Sequence, residues 1–210
     1  MILIGQYDSP FVRRVAIAAY LYGFAYEHRP WSVWADADAL AKINPARRVP
    51  TLVLDDGEVL MDSAAILDAL DDMAGPGRAL APRGGPERRR CFRLCALAAS
   101  VAEKAVSLLY ETVLHEATSQ VWIDRCRRQI SDVLDALEKE RAGAPSTYWM
   151  GEAISHADII TVCAIRFVRE AHGDLFDSVR WPSLAALAER CEALPPFQAI
   201  VQPLTLAMKD

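Results

Sequence analysis

The sequence predicts an α/β N-terminal domain of order β-α-β-α-β-β-α followed by an all-α helical domain. Two observations lead there, and a third sets the boundary. Short apolar runs alternate with stretches of helical spacing as far as residue 75. Beyond it no strand pattern persists, and residues 87–115 are rich in Ala and Leu with neither Gly nor Pro. Between the two lies Gly75-Pro76-Gly77-Arg78-Ala79-Leu80-Ala81-Pro82-Arg83-Gly84-Gly85-Pro86, a cluster of turn formers and breakers. The expected boundaries are therefore 1–75 for the α/β domain, 76–86 for a linker and 87–210 for the helical domain.

The elements follow in order. Ile2 to Gln6 reads as a strand. Ser9-Pro10 then opens a helix, with Ser9 as N-cap and Pro10 as first helical residue, where its missing N–H costs nothing. Val12, Val15, Ala16 and Ala19 recur at helical spacing, and Gly23 fits the position just past the end. Ala25 to Arg29 is a second strand and Ala35 to Ile43 a short helix. Thr51 to Leu54 and Glu58 to Met61 flank the hairpin turn Asp55-Asp56-Gly57. Ser63 to Met73 reads as a helix capped by Ser63. In the second half, Glu87 to His115 is one long helix, apolar around most of its circumference and so buried on several sides. Ile123, Cys126, Ile130, Val133, Leu134 and Leu137 form an amphipathic stripe. Ser155-His156-Ala157-Asp158 has capping-box spacing before the apolar helix Ile159 to Ala171. Shorter helices are expected after Pro182 and Pro195.

Composition narrows the function classes. The 210 residues are 52% hydrophobic and 24% charged, as in a soluble globular protein with a substantial core. A net charge of -5 and a pI near 5.4 argue against a nucleic-acid surface, and Arg88-Arg89-Arg90 is too short to reverse that. No run approaches the ~18 apolar residues of a membrane span. The N-terminus lacks the basic region and apolar stretch of a signal peptide, so the cytoplasm is the expected compartment. The five cysteines are odd in number and sit mostly in helical patterns, which fits reduced thiols. Cys91 and Cys95 share a helix face without a matching His or Cys pair, so no metal is expected.

Three short motifs carry chemistry. At Ser9 a hydroxyl stands where free N–H groups and a helix dipole favour an anion. Arg13 and Arg14, in the first turn, oppose that dipole; pairing of at least one with a carboxylate is the plain expectation. Asn44-Pro45-Ala46-Arg47-Arg48-Val49-Pro50-Thr51-Leu52 places a proline at the start of a strand, and taken alone Val49-Pro50 is an ordinary trans bond. Asp62-Ser63 sets a carboxylate and a hydroxyl at a third helix start, where an N-cap and a ligand site are equally served.

Together, in this order and spacing, Ser-Pro-Phe-x-Arg-x-Val, Asn-Pro-x-x-x-Val-Pro-x-Leu and Asp-Ser-x-x-Ile-Leu resemble the cytosolic glutathione transferase superfamily, in a bacterial-type form with serine at the catalytic position. The all-α second half with its Ser-x-x-Asp box is also similar, so the resemblance covers essentially the whole chain. It implies a thioredoxin-like N-terminal domain that holds glutathione as co-substrate, a helical domain that shapes the second-substrate pocket, a homodimer, and a detoxifying transferase of the cytoplasm. It implies roles too. Ser9 would be catalytic, its hydroxyl meeting the glutathione sulfur. The Val49 backbone would pair with the cysteinyl part, held so by a cis-Pro50. Asp62 and Ser63 would receive the γ-glutamyl amine and carboxylate, and Arg48 the glycine carboxylate. Phe11 joins the glutathione-binding set and, with Trp31, Trp34 and Tyr110, stands near the expected second-substrate pocket. The family pattern is departed from in places. Serine in place of cysteine disfavours thiol–disulfide exchange through the enzyme, and Asp8 removes the paired serine of the maleylacetoacetate isomerases. Asp62 is one methylene shorter than the commoner Glu, and Arg47 stands where a small residue is frequent.

The function these features imply is stabilisation of the glutathione thiolate for attack on a small electrophile. A glutathione-dependent peroxidase or isomerase would use the same half-site. A non-enzymatic binding or assembly module with the same fold is the alternative from another class, though it would not require all three motifs.

Overall fold

The computed structural model describes residues 1–205 and resolves two units. The first comprises Met1–Leu80 together with the described residues from Pro195 onward; the second is Ala81–Leu194.

In the first unit, β1 (Ile2–Ile4), α1 (Pro10–Tyr22), β2 (Glu27–Arg29), α2 (Ala37–Ala41), β3 (Thr51–Val53), β4 (Val59–Met61) and α3 (Ser63–Ala74) follow the predicted order. The sheet runs β2-β1-β3-β4. β1 and β2 are parallel, joined by the crossover helix α1, whereas β3 is antiparallel to both β1 and β4. The strands are shorter than expected at their ends, because the flanking residues turn away into the loops. Leu3, Ile4 and Leu52 from the sheet, Val12, Val15, Ala16 and Ala19 from α1, and Ile66, Leu67 and Leu70 from α3 are buried and form the core.

Local chemistry sets the helix ends. Ser9 Oγ accepts from the Val12 N–H at 3.4 Å with Pro10 at the first helical position. At the other end Gly23 takes φ +70°, its N–H bonds the Tyr20 carbonyl and the Phe24 N–H bonds that of Ala19, the reciprocal pair of a Schellman motif. For α3 the cap is Asp62 and not Ser63: Asp62 Oδ1 accepts from the Ala64 N–H at 2.8 Å, and Ser63 is the first helical residue. A carboxylate one position earlier reaches the second N–H of the helix, which a serine already inside it does not.

The C-terminal boundary differs from expectation. Helix α8 (Pro195–Ala199) and the described residues after it belong to the first unit, not to a helical domain running over 87–210; the last five residues of that range lie outside the described residues. The reason is Arg13, which is 1% exposed. Its Nε and Nη2 donate to the carbonyls of Ile200 (2.9 Å) and Phe197 (3.0 Å), and its guanidinium lies 5.5 Å from the Phe197 ring. The carbonyls at the end of α8 thus find their donors on α1.

In the second unit, α4 (Gly85–Leu114), α5 (Gln120–Ala142), α6 (His156–Ala171) and α7 (Pro182–Glu192) pack around Leu94, Val101, Ile130, Leu134, Ile160 and Leu184. Two carboxylates tie them together. Glu138 of α5 accepts from the Ser183 and Leu184 N–H groups, both at 2.9 Å, and so caps α7. Asp158 of α6 is fully buried and accepts from the Trp149 N–H (2.9 Å), the Ser155 N–H (2.9 Å) and the Ser155 hydroxyl (2.6 Å). Burial raises the Asp158 pKa, while these donors oppose the rise by favouring the carboxylate.

Two stability changes are expected. In Asp158→Ala the buried Trp149 and Ser155 N–H groups lose their acceptor, which costs about 2–5 kcal/mol in urea unfolding followed by tryptophan fluorescence; a cost under about 1 kcal/mol would contradict the structural role. In Gly5→Ala, the added Cβ would lie 2.5 Å from Val12 Cγ2 and 2.8 Å from Val49 Cβ at φ +130°, so about 2–4 kcal/mol should be lost. A variant with unchanged midpoint would show that these neighbours yield freely.

Candidate active site

The strand register decides what meets at the C-terminal end of β1. Ile4 pairs with Arg29 of β2 on one side and Thr51 of β3 on the other, and Thr51 pairs with Met61 of β4. Arg29, Ile4, Thr51 and Met61 therefore form one row across the sheet. The chain leaves this row toward Trp31, the Ser9 turn and Asp62-Ser63, and enters it from Val49-Pro50. Three motifs that are far apart in sequence thus hang from one sheet end.

Gly5 closes the arrangement. Its missing side chain lets Val12 of α1 and Val49 of the following loop approach the end of β1. The Val49-Pro50 peptide is cis, and Pro50 is buried while Val49 is half-buried. The Ser9 turn is fixed from several directions. Ser9 N–H donates to the Gln6 carbonyl at 3.2 Å, Tyr7 N–H to Gln202 Oε1 at 3.0 Å, and Thr205 N–H to Asp8 Oδ2 at 3.0 Å. Ser9 Oγ accepts from the Val12 N–H, and the hydroxyl carries one donor hydrogen besides.

Tyr7 is the other hydroxyl of this turn, and it serves a different end. Its ring stacks on His28 at 3.9 Å, its hydroxyl shares a 2.8 Å hydrogen bond with Tyr26, and His28 Nε2 lies 2.8 Å from the Gly5 carbonyl. Burial first, and the Tyr26 hydrogen bond second, hold its phenol well above the usual range, so it stays protonated as a prop between β1 and β2.

Asp62 is exposed with φ +68° and ψ 122°, a conformation costing about 1–3 kcal/mol for a non-glycine residue. One carboxylate oxygen caps α3; lone pairs on the group remain for a cation. Ser63 beside it is buried at the helix start. Arg48 is exposed, and Arg47 (φ +50°) turns its guanidinium to Asp38 of α2 at 3.5 Å. Phe11 is half-buried in the first turn of α1. Trp34 is half-buried in the first unit, its backbone N–H on Ser32 Oγ at 3.1 Å, whereas Tyr110 is half-buried on α4 in the second. Among the described residues no group of three or more His, Cys, Asp or Glu is placed to hold a metal. Sequence reasoning assigned no role to Gly5 or Asn44. A glycine near the end of the first expected strand, and the Asn that opens the Asn44–Leu52 motif, are the signals the sequence offers.

Comparison with known proteins gives this geometry its family. Residues 3–78 match the family described as glutathione S-transferase, N-terminal domain, and residues 120–190 match glutathione S-transferase, C-terminal domain. An uncharacterized GST-like protein of Escherichia coli (strain K12), YibF, is 30% identical over 97% of this chain and 99% of its own length. A probable maleylacetoacetate isomerase of Vibrio cholerae is 27% identical over 94% of this chain and 93% of its own. Among solved structures, a glutathione transferase family member from Pseudomonas fluorescens Pf-5 with bound glutathione aligns at TM-score 0.83 and 32% identity, covering 97% of this chain and 99% of that one. A glutathione S-transferase from Methylobacterium radiotolerans in complex with glutathione sulfonate aligns at 0.91 and 26%, covering 100% and 97%. The chain belongs to the glutathione S-transferase family.

Proposed function

We propose that this protein binds glutathione at the Ile4–Thr51–Met61 end of its sheet and ionises the thiol for attack on a small electrophile. The observation that carries the reading is that one row of paired residues delivers the Ser9 turn, the cis Val49-Pro50 bond and Asp62-Ser63 to the same place. Relatives with glutathione or glutathione sulfonate in their solved structures support glutathione as the co-substrate.

In this reading Ser9 Oγ donates to the sulfur, and the start of α1 adds its dipole. A free thiol has a pKa of about 8.5, and lowering it by ~2 units needs ~2.7 kcal/mol of preferential thiolate stabilisation. A hydrogen bond to a charged group supplies ~1.5–3 kcal/mol and a helix N-terminus ~0.3–2. The two suffice together, and serine acts as donor, not as covalent nucleophile. The Val49 backbone pairs with the cysteinyl unit. The Asp62 carboxylate takes the γ-glutamyl ammonium while Ser63 and the start of α3 take its carboxylate, Arg48 reaches the glycine carboxylate, and Phe11 lines the same site. With glutathione held in place, the remaining catalysis is proximity.

Isomerase chemistry on the same half-site is the second reading, favoured by relatives named maleylacetoacetate isomerase. A homodimer, a cytoplasmic location and a role in detoxification complete the proposal; exposed Tyr20 and Met73 give the first unit apolar surface for a partner copy. Among the described residues no helix is long and apolar enough to cross a membrane.

Retention on glutathione-agarose and conjugation of a generic aryl electrophile test the reading, with Ser9→Ala beside the native protein. Native protein should be retained and active. Ser9→Ala should lose about 10- to 100-fold in kcat/KM at neutral pH. Its thiol pKa rises toward the free value, so the deficit shrinks as pH climbs past about 8.5. Neither retention nor turnover across an electrophile panel would overturn the transferase reading; a full neutral rate for Ser9→Ala would overturn the role of that residue.

A further inference from the structure

Asn44 carries a buried polar network that the proposed contacts with glutathione do not use. Its side chain is 0% exposed, as is that of Thr51. Asn44 Nδ2 donates to the Arg48 carbonyl at 3.0 Å and to Thr51 Oγ1 at 2.9 Å, while Asn44 Oδ1 accepts from the Ala46 N–H at 2.9 Å. Thr51 Oγ1 in turn donates to the same Arg48 carbonyl at 2.9 Å. Two interior donors therefore converge on one backbone oxygen, in the peptide unit immediately before Val49.

Peptide planarity turns this into a statement about Val49. The Arg48–Val49 bond is trans, since the cis bond is the next one, between Val49 and Pro50. In a trans peptide the C=O and the following N–H point in opposite directions. With the Arg48 oxygen drawn inward to Asn44 and Thr51, the Val49 N–H must face out of the core. Among the described residues no hydrogen bond engages that N–H. The Val49 side chain is meanwhile committed to the space left by Gly5, which fixes the residue about its other axis.

We infer that Asn44 and Thr51 are positioning residues for glutathione: they hold the Val49 N–H outward as a donor for the cysteinyl backbone carbonyl. The inference rests on the proposed glutathione site and extends it to two residues that touch no ligand. They act on glutathione affinity and not on thiol ionisation, which belongs to Ser9.

Three variants separate this from a merely structural role. Thr51→Val keeps volume and removes the hydroxyl. Asn44→Asp keeps the acceptor for Ala46 and removes the donors. Thr51→Ser restores the hydroxyl and is the rescue. Each is titrated calorimetrically with glutathione and assayed with an aryl electrophile across neutral pH. Thr51→Val and Asn44→Asp should weaken the glutathione Kd and KM about fivefold or more, roughly one hydrogen bond's worth. The electrophile KM and the pH profile of kcat/KM should stay at native values, and Thr51→Ser should bind like the native protein. Native-like glutathione binding by Thr51→Val would overturn the inference, as would a shifted pH profile or failure of Thr51→Ser to rescue. If Asn44→Asp does not fold, Thr51→Val and Thr51→Ser decide. Failure of the native protein to bind glutathione would overturn the site itself and this inference with it; binding by the native protein and by Thr51→Val alike overturns only the inference.

Discussion

Antiparallel pairing of β3 with both β1 and β4 is the constraint from which the candidate site follows. Thr51 sits opposite Ile4 and Met61 at once, so the residues beyond the row have little freedom in where they emerge. A slip of one residue would exchange the faces of Leu52 and Thr51, both buried, and so part Leu52 from Leu3 and Thr51 from Asn44, because side chains alternate between faces. Burial of Leu3 and Leu52, themselves a pair, therefore fixes the register, and the register fixes the site. Gly5 completes the constraint by letting Val12 and Val49 close over the end of β1.

Electrostatics at this end are arranged by helix starts. Both α1 and α3 begin beside the row, each with an oxygen-bearing cap and no acidic residue in the first turn. Arg13 and Arg14 look misplaced there, since cations oppose a helix N-terminus by some tenths of a kcal/mol each. The burial of Arg13 against the Phe197 and Ile200 carbonyls supplies the missing reason: its charge is satisfied by the end of α8. One side chain thereby explains both an unfavourable first turn and the return of the C-terminal segment to the first unit. The strained backbone of Asp62 belongs to the same economy, because a conformation of that cost persists where surrounding structure holds it.

What was legible in the sequence was local. The Ser9 cap, the Gly23 terminator, the hairpin at Asp55-Asp56-Gly57 and the Ser155–Asp158 box each depend on residues a few positions apart, and all appear as read. What was not legible depended on distant partners or on one torsion angle. The carbonyls that receive Arg13 lie in and just after a short helix, 184 and 187 residues on in the sequence, so no spacing rule places α8 with the first unit. Choosing Asp62 over Ser63 as the cap turns on a positive φ that the two-residue motif does not reveal. The Asn44 network is of another kind: Asn44 and Thr51 lie within one sequence motif, but the part we infer for them is to orient a backbone group, which side-chain identity does not display.

A crystal structure of the protein with glutathione bound tests the proposed site. The sulfur should lie within hydrogen-bonding distance of Ser9 Oγ, the cysteinyl carbonyl on the Val49 N–H, and the γ-glutamyl group at Asp62 and Ser63. Glutathione bound away from the Ile4–Thr51–Met61 row, or with its sulfur turned from Ser9, would contradict it.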